Sequence, residues 1–241
     1  RHTGFRFSML TLSLGFGAFF GITVLTPLWL QIYMGYTATI AGYSTAMMGV
    51  LAVFLAPLIA NLASRIDPRP LVFIGVLWLG CWTLYRSHAN MEMTFWQISL
   101  PMLFQGIGMP LFFVPLTAIA LGCVLPREMD SAAGLMNFIR PLSGAFATSL
   151  VNPGWERETR YVRAELAGLT DRAGEASAAM QQAGAGGGQV RGTLDWLLQG
   201  QSVMVATNKL FMLIGGLFIV AAFVIWLAPR PTRQVDPGAA H

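Results

Sequence analysis

Six apolar runs alternate with short polar breaks along the chain, at residues 5–30, 39–63, 71–85, 95–125, 131–151 and 209–227. An α-helix rises about 1.5 Å per residue and needs about 20 residues to cross a bilayer, so these runs predict six membrane-spanning helices. The run at 71–85 is short. The run at 95–125 is long and carries Pro101, Pro110 and Pro115, which predict tilting or bending. Residues 64–70, 86–93 and 126–130 read as polar connections, and Arg86 falls in the second of them. Small residues recur every four positions at Gly17 and Gly21, and at Ala38, Gly42 and Ala46, where helices could approach closely.

Residues 152–208 break the pattern. Glu156, Arg157, Glu158, Arg160, Arg163, Glu165, Asp171, Arg172 and Glu175 crowd together, and 184–188 is a glycine-rich break. The segment predicts an extramembrane loop with short amphipathic helices at 155–169 and 193–204. The expected organisation is five transmembrane helices in 1–151, an extramembrane loop in 152–208, a sixth helix in 209–228 and a tail in 229–241.

Composition fixes the class. The chain is 55% hydrophobic and 11% charged, with a mean hydropathy of +0.59, whereas soluble domains carry about 25% charged residues. A net charge of +4 does not indicate a nucleic-acid partner, because the basic residues sit at the ends of apolar runs. Cys81 and Cys123 lie inside apolar runs and read as packing residues. His2, His88 and His241 lie outside all runs, and no hydrolase, zinc or phosphate-loop pattern occurs, so neither an enzyme nor a cofactor or metal is expected. Charge leaves the orientation tied. Arg1, Arg6, Arg65, Arg69, Arg127, Arg230 and Arg233 fall on the terminal side, against Arg86, Arg157, Arg160, Arg163, Arg172, Arg191 and Lys209 opposite.

Arg140 lies near the middle of the fifth run. An arginine at that depth costs about 2.5–3.5 kcal/mol on insertion scales and faces a bundle interior or a wet cavity. Asn137, Arg140, Pro141, Gly144 and Thr148 share one helical face, and Pro141 cannot donate to the Asn137 carbonyl. Pro110 and Pro115 likewise free the carbonyls of Gly106 and Leu111, and the stretch from Gln105 to Pro115 is expected to face Arg140. Substrate-cavity candidates are therefore Arg140, Asn137, Gln105, Gln31 and Trp29, with Pro141, Pro110 and Pro115 as kink positions. Asn137 and Gln105 read equally as interhelical hydrogen-bond groups, and Trp29, Gln31 and Tyr33 as interface anchors. No Asp or Glu falls inside any apolar run, so a carboxylate proton relay is not expected in these spans.

Three stretches carry a family resemblance. Pro27-Leu-Trp-Leu-Gln31 followed by Gly35-Tyr-Thr-Ala38, the glycine-rich Gln105 to Leu116 with Pro115, and Ser131 to Ser149 with Gly134, Asn137, Phe138 and Arg140 resemble EmrB/QacA-type transporters. These form the fourteen-helix drug:proton antiporter branch of the major facilitator superfamily, and the resemblance is to their C-terminal half. It implies an all-α membrane fold of six transmembrane helices forming one lobe of an alternating-access carrier. It also implies multidrug efflux across the inner membrane, cytoplasmic termini, a periplasmic 152–208 loop and a small amphiphilic or weakly acidic substrate. The implied partners are the lipid bilayer, an N-terminal lobe, a periplasmic membrane-fusion protein and an outer-membrane channel. Asn208-Lys209 stands where the family usually carries an acidic residue, and Pro141 with Ala145 to Ala147 departs from its glycine-richer fifth helix. The residues alone also admit a non-transporting membrane interaction or regulatory module, or a dedicated metabolite exporter.

Overall fold

The computed structural model describes residues 3–88, 90, 93–168, 182 and 186–227. Among the described residues, seven α-helices form six rods: α1 (Thr3–Ile32), α2 (Ala38–Arg65), α3 (Pro68–Arg86), α4 (Phe95–Gln105) continued by α5 (Gly108–Gly122), α6 (Met129–Gly168) and α7 (Gly187–Val224). Short 3₁₀ turns at Pro126–Glu128 and Ile225–Leu227 complete them. The expected tail at 229–241 lies outside the described residues, as do Arg1, His2, Asp171, Arg172, Glu175 and residues 184–185.

Local chemistry sets the helix starts. The Thr37 hydroxyl accepts the Ile40 N–H at 3.3 Å to open α2, and the Asp67 carboxylate accepts the Arg69 N–H at 3.1 Å to open α3, with Pro68 at its first position. Gly35, at φ 66°, makes the left-handed turn that lets α1 hand over to α2 within a few residues.

The long fourth run does more than bend. It stops at Gln105 and restarts at Gly108. Pro110 has no N–H for the Gly106 carbonyl, which accepts instead from Met109 N–H at 3.3 Å in a tighter turn. The Trp78 indole N–H covers the Phe104 carbonyl at 2.8 Å. Gly106 also lies so close to α2 that a Cβ there would overlap the Met48 carbonyl oxygen.

α1 runs through the centre, packed against α5, α6 and α7, while α3 lies against α5 and α7. Leu12, Phe16, Ile22 and Leu25 of α1 meet Phe112 and Leu116 of α5 and Phe211 and Phe218 of α7 in one continuous core. Phe16 sits 4.5 Å from Phe113 and 5.9 Å from Phe112, centroid to centroid. The outside is apolar too: Val53, Phe54 and Leu58 of α2 and Leu213 and Phe223 of α7 are exposed, which suits hydrocarbon rather than water. Four rods, α1, α2, α4–α5 and α7, are long and apolar enough to cross a membrane, and α3 and α6 complete the six. The fold is the all-α membrane bundle expected.

Several local expectations change. Residues 155–168 are the continuation of α6, not a separate amphipathic helix, and residues 193–204 and 209–224 belong to one 38-residue α7. The Ala38–Gly42–Ala46 face touches no other helix: all three residues are exposed, with nothing within 4 Å of a Cβ on Gly42. Arg86 is not a loop residue. It ends α3 and is 6% exposed.

The α2–α4 approach gives a stability test. Gly106→Ala should cost about 1–3 kcal/mol, because the Met48 backbone must move, whereas Gly192→Ala, with nothing nearby, should be neutral or stabilise by up to about 1 kcal/mol. Denaturant unfolding of the two variants in detergent checks the contrast.

Candidate functional site

Arg140 projects from α6 towards α1 and α5. Its Nη2 donates to Thr117 Oγ1 at 3.0 Å, and Thr117 Oγ1 in turn donates to the Phe113 carbonyl at 2.9 Å. The guanidinium lies 5.5 Å from the Phe16 ring centroid, within cation–π range. Nη2 thus bonds a hydroxyl across the helix interface, not the Asn137 carbonyl that Pro141 frees. The helix that carries the expected stretch does face Arg140, through Thr117 and, beneath Phe16, Phe112 and Phe113 of α5, whereas Gln105 lies elsewhere. Asn137 is exposed.

An apolar groove of about 470 Å³ lies between α1, α6 and α7, lined among others by Gly17, Ile139, Ser143 and Leu217; Arg140 itself is not among its lining residues, although its chain neighbour Ile139 is. It shares Leu150, Val151 and Ile214 with a second groove of about 800 Å³. The second groove ends at a charged group. Lys209 Nζ pairs with Glu158 at 2.7 Å and lies 5.9 Å from the Tyr161 ring centroid. A carboxylate is therefore present beside Asn208-Lys209, but α6 supplies it.

Gln105 and Trp29 lie elsewhere, around Arg86. Arg86 Nη2 donates to Thr26 Oγ1 at 2.7 Å, and Nη1 donates to Gln105 Oε1 at 3.2 Å. Gln105 Nε2 donates to Thr83 Oγ1 at 2.9 Å, and Thr83 donates to the Leu79 carbonyl at 2.7 Å. The Phe211 ring covers the guanidinium at 4.7 Å. Gln105 lies level with Leu79 and Thr83 of α3, and Arg86, about one turn beyond Thr83, reaches back to it. Trp29 is buried rather than in an outer vestibule, and its indole N–H has no acceptor among the described residues. Gln31 joins neither group; its amide donates to the Pro27 carbonyl of its own helix at 3.2 Å. Of the expected kink positions, Pro110 follows the break, while Pro115 and Pro141 sit inside helices that run on uninterrupted.

The candidates thus fall into two places: Arg140 with the α1–α6–α7 groove, and Gln105 with Trp29 around Arg86. Among the described residues, the ion pairs Arg163–Asp195 and Lys209–Glu158 involve neither arginine. Arg86 is the functional candidate that sequence reading missed. The available signal was Thr83 one turn before it, in a run visibly shorter than its neighbours.

Gln105 satisfies a cation on one side and a hydroxyl on the other. Gln105→Leu should therefore cost about 1–3 kcal/mol by stranding Arg86, and much of that cost should vanish in an Arg86→Met background. A double-mutant cycle by denaturant unfolding measures the coupling.

Comparison with known proteins agrees with this architecture. The model of the Major Facilitator Superfamily matches residues 1–148. The fatty acid resistance protein FarB of Neisseria gonorrhoeae is 33% identical over 239 residues, covering 97% of this chain and 47% of that protein. The multidrug export protein EmrB of Escherichia coli K12 is 31% identical over 234 residues, covering 94% and 45%. The chain spans about half the length of these curated relatives, in agreement with the C-terminal half read from the sequence. A bacterial homologue of the lysosomal transporter Spinster, inward-facing and unoccupied, superposes with a TM-score of 0.65 at 16% identity, over 96% of this chain and 43% of that one. With its six-rod membrane bundle and EmrB-type relatives, the chain belongs to the Major Facilitator Superfamily.

Proposed function

We propose that this chain acts as the C-terminal lobe of a proton-coupled multidrug efflux transporter of the inner membrane, working by alternating access against an N-terminal lobe. The relatives named for multidrug export and fatty acid resistance support an export role. The observation that carries the substrate reading is Arg140: a half-buried cation bound to a neutral hydroxyl, on the same helix as Ile139 and Ser143, which wall a 470 Å³ apolar groove. Such a pairing attracts small amphiphiles with weakly acidic character, because the cation supplies potential and the groove takes the apolar body.

Proton coupling in this reading draws its carboxylate from outside these spans. Asp67, Glu128 and Asp130 flank helix starts, and Glu158 is held by Lys209. The ends of the chain are assigned to the cytoplasm and residues 152–208 to the periplasm. There the paired extensions of α6 and α7, tied by Arg163–Asp195 at 2.5 Å, carry exposed Tyr161 and Trp196. These aromatics suit docking of a membrane-fusion protein that leads to an outer-membrane channel.

Replacing the charge tests the reading. Arg140→Ala in the full-length carrier should abolish drug resistance in a pump-deficient strain while membrane levels stay unchanged, and Arg140→Lys should retain part of it. Unaltered resistance in Arg140→Ala would remove Arg140 from the mechanism.

A further inference from the structure

A small cavity of about 110 Å³ opens onto Arg86, with Trp29, His88, Gln97 and Phe211 among its walls. It adjoins a wider groove of about 590 Å³ between α3 and α4, and the two share Tyr85, Met93, Gln97 and Pro101. The groove has an aromatic wall, where Trp82 stacks on Phe104 at 5.4 Å and 10°. Neither space borders Arg140.

We propose that Arg86 and Trp29 form the head end of a binding site for a single-chain carboxylate amphiphile, whose tail lies in the groove between α3 and α4. Two of the five N–H groups of Arg86 are taken by Gln105 and Thr26, both neutral, which leaves its charge uncompensated among the described residues. Among the described residues the buried indole N–H of Trp29 has no acceptor, although Trp29 lines the same cavity. A group that only accepts hydrogen bonds and carries negative charge answers both needs at once. A neutral polyol would leave the charge unmet, and a cation would be repelled.

Size selects further. A 110 Å³ cavity admits a carboxylate and little more, whereas a phospholipid phosphate would have to bring its glycerol and head substituent in with it. The continuous apolar floor from Pro101 through Leu100 to Phe104 then takes one hydrocarbon chain. Binding at equilibrium does not depend on the transport reading, so the two can fail separately.

The full-length protein in phosphatidylcholine nanodiscs, titrated calorimetrically with dodecanoate, provides the test. Saturable binding is expected, weakened at least tenfold by Arg86→Gln and several-fold by Trp29→Phe, which keeps an aromatic ring but removes the N–H. Acetate should bind far more weakly than dodecanoate, and the affinity of dodecyltrimethylammonium should not fall in either variant. The Trp29 indole resonance, in protein carrying ¹⁵N-tryptophan, should move with the dodecanoate titration. Dodecanoate affinity unchanged in both variants, or an unmoved Trp29 resonance, would overturn the proposal. Displacement of dodecanoate by phosphatidylglycerol in the nanodisc would also overturn it, in favour of an anionic lipid.

Discussion

Arg86 is a cation at the inner end of a helix, bonded to Thr26 of α1 and Gln105 of α4, and capped by Phe211 of α7. A charge removed from water requires partners, and here four helices must converge to supply them. This requirement ties the short α3 to the central α1 and fixes where the α4–α5 rod can break, because Gln105 is the last residue of α4. Packing around α1 then follows from ordinary apolar contacts, with the Phe16–Phe113 cluster at the level of Arg140.

The bundle handles both intramembrane arginines alike: each meets hydroxyl or amide groups and an aromatic face, and neither joins the ion pairs present among the described residues. Neutral partners lower the cost of burial without cancelling the charge. The positive potential remains available to a ligand, which a carboxylate partner would have quenched. Lys209 shows the opposite arrangement, since Glu158 holds it in an ion pair at the end of the larger groove.

The fold was legible because its signal is repetitive: long apolar runs at bilayer length, separated by Pro, Gly and charge. Thr37 and Asp67, read from the sequence only as parts of polar breaks, turn out to cap the starts of α2 and α3. What escaped was contact between runs. Arg86 follows an apolar stretch and precedes a polar one, so its position alone describes a loop arginine; only the convergence of Thr26, Gln105 and Phe211 makes it internal. For the same reason the sequence groups Gln105 and Trp29 with Arg140, although their contacts are with Arg86 and its cavity. Residues 152–168 and 187–208 were charged enough to suggest separate pieces, yet helical hydrogen bonding carries straight through from α6 and into α7.

A buried arginine held by neutral groups keeps its charge for a ligand. An experimental structure of the full-length protein in lipid tests it most directly. The account predicts Arg86 bonded to Gln105 and Thr26, with no carboxylate oxygen of the protein within about 4 Å of its guanidinium. An Asp or Glu from anywhere in the protein paired with Arg86 would contradict it.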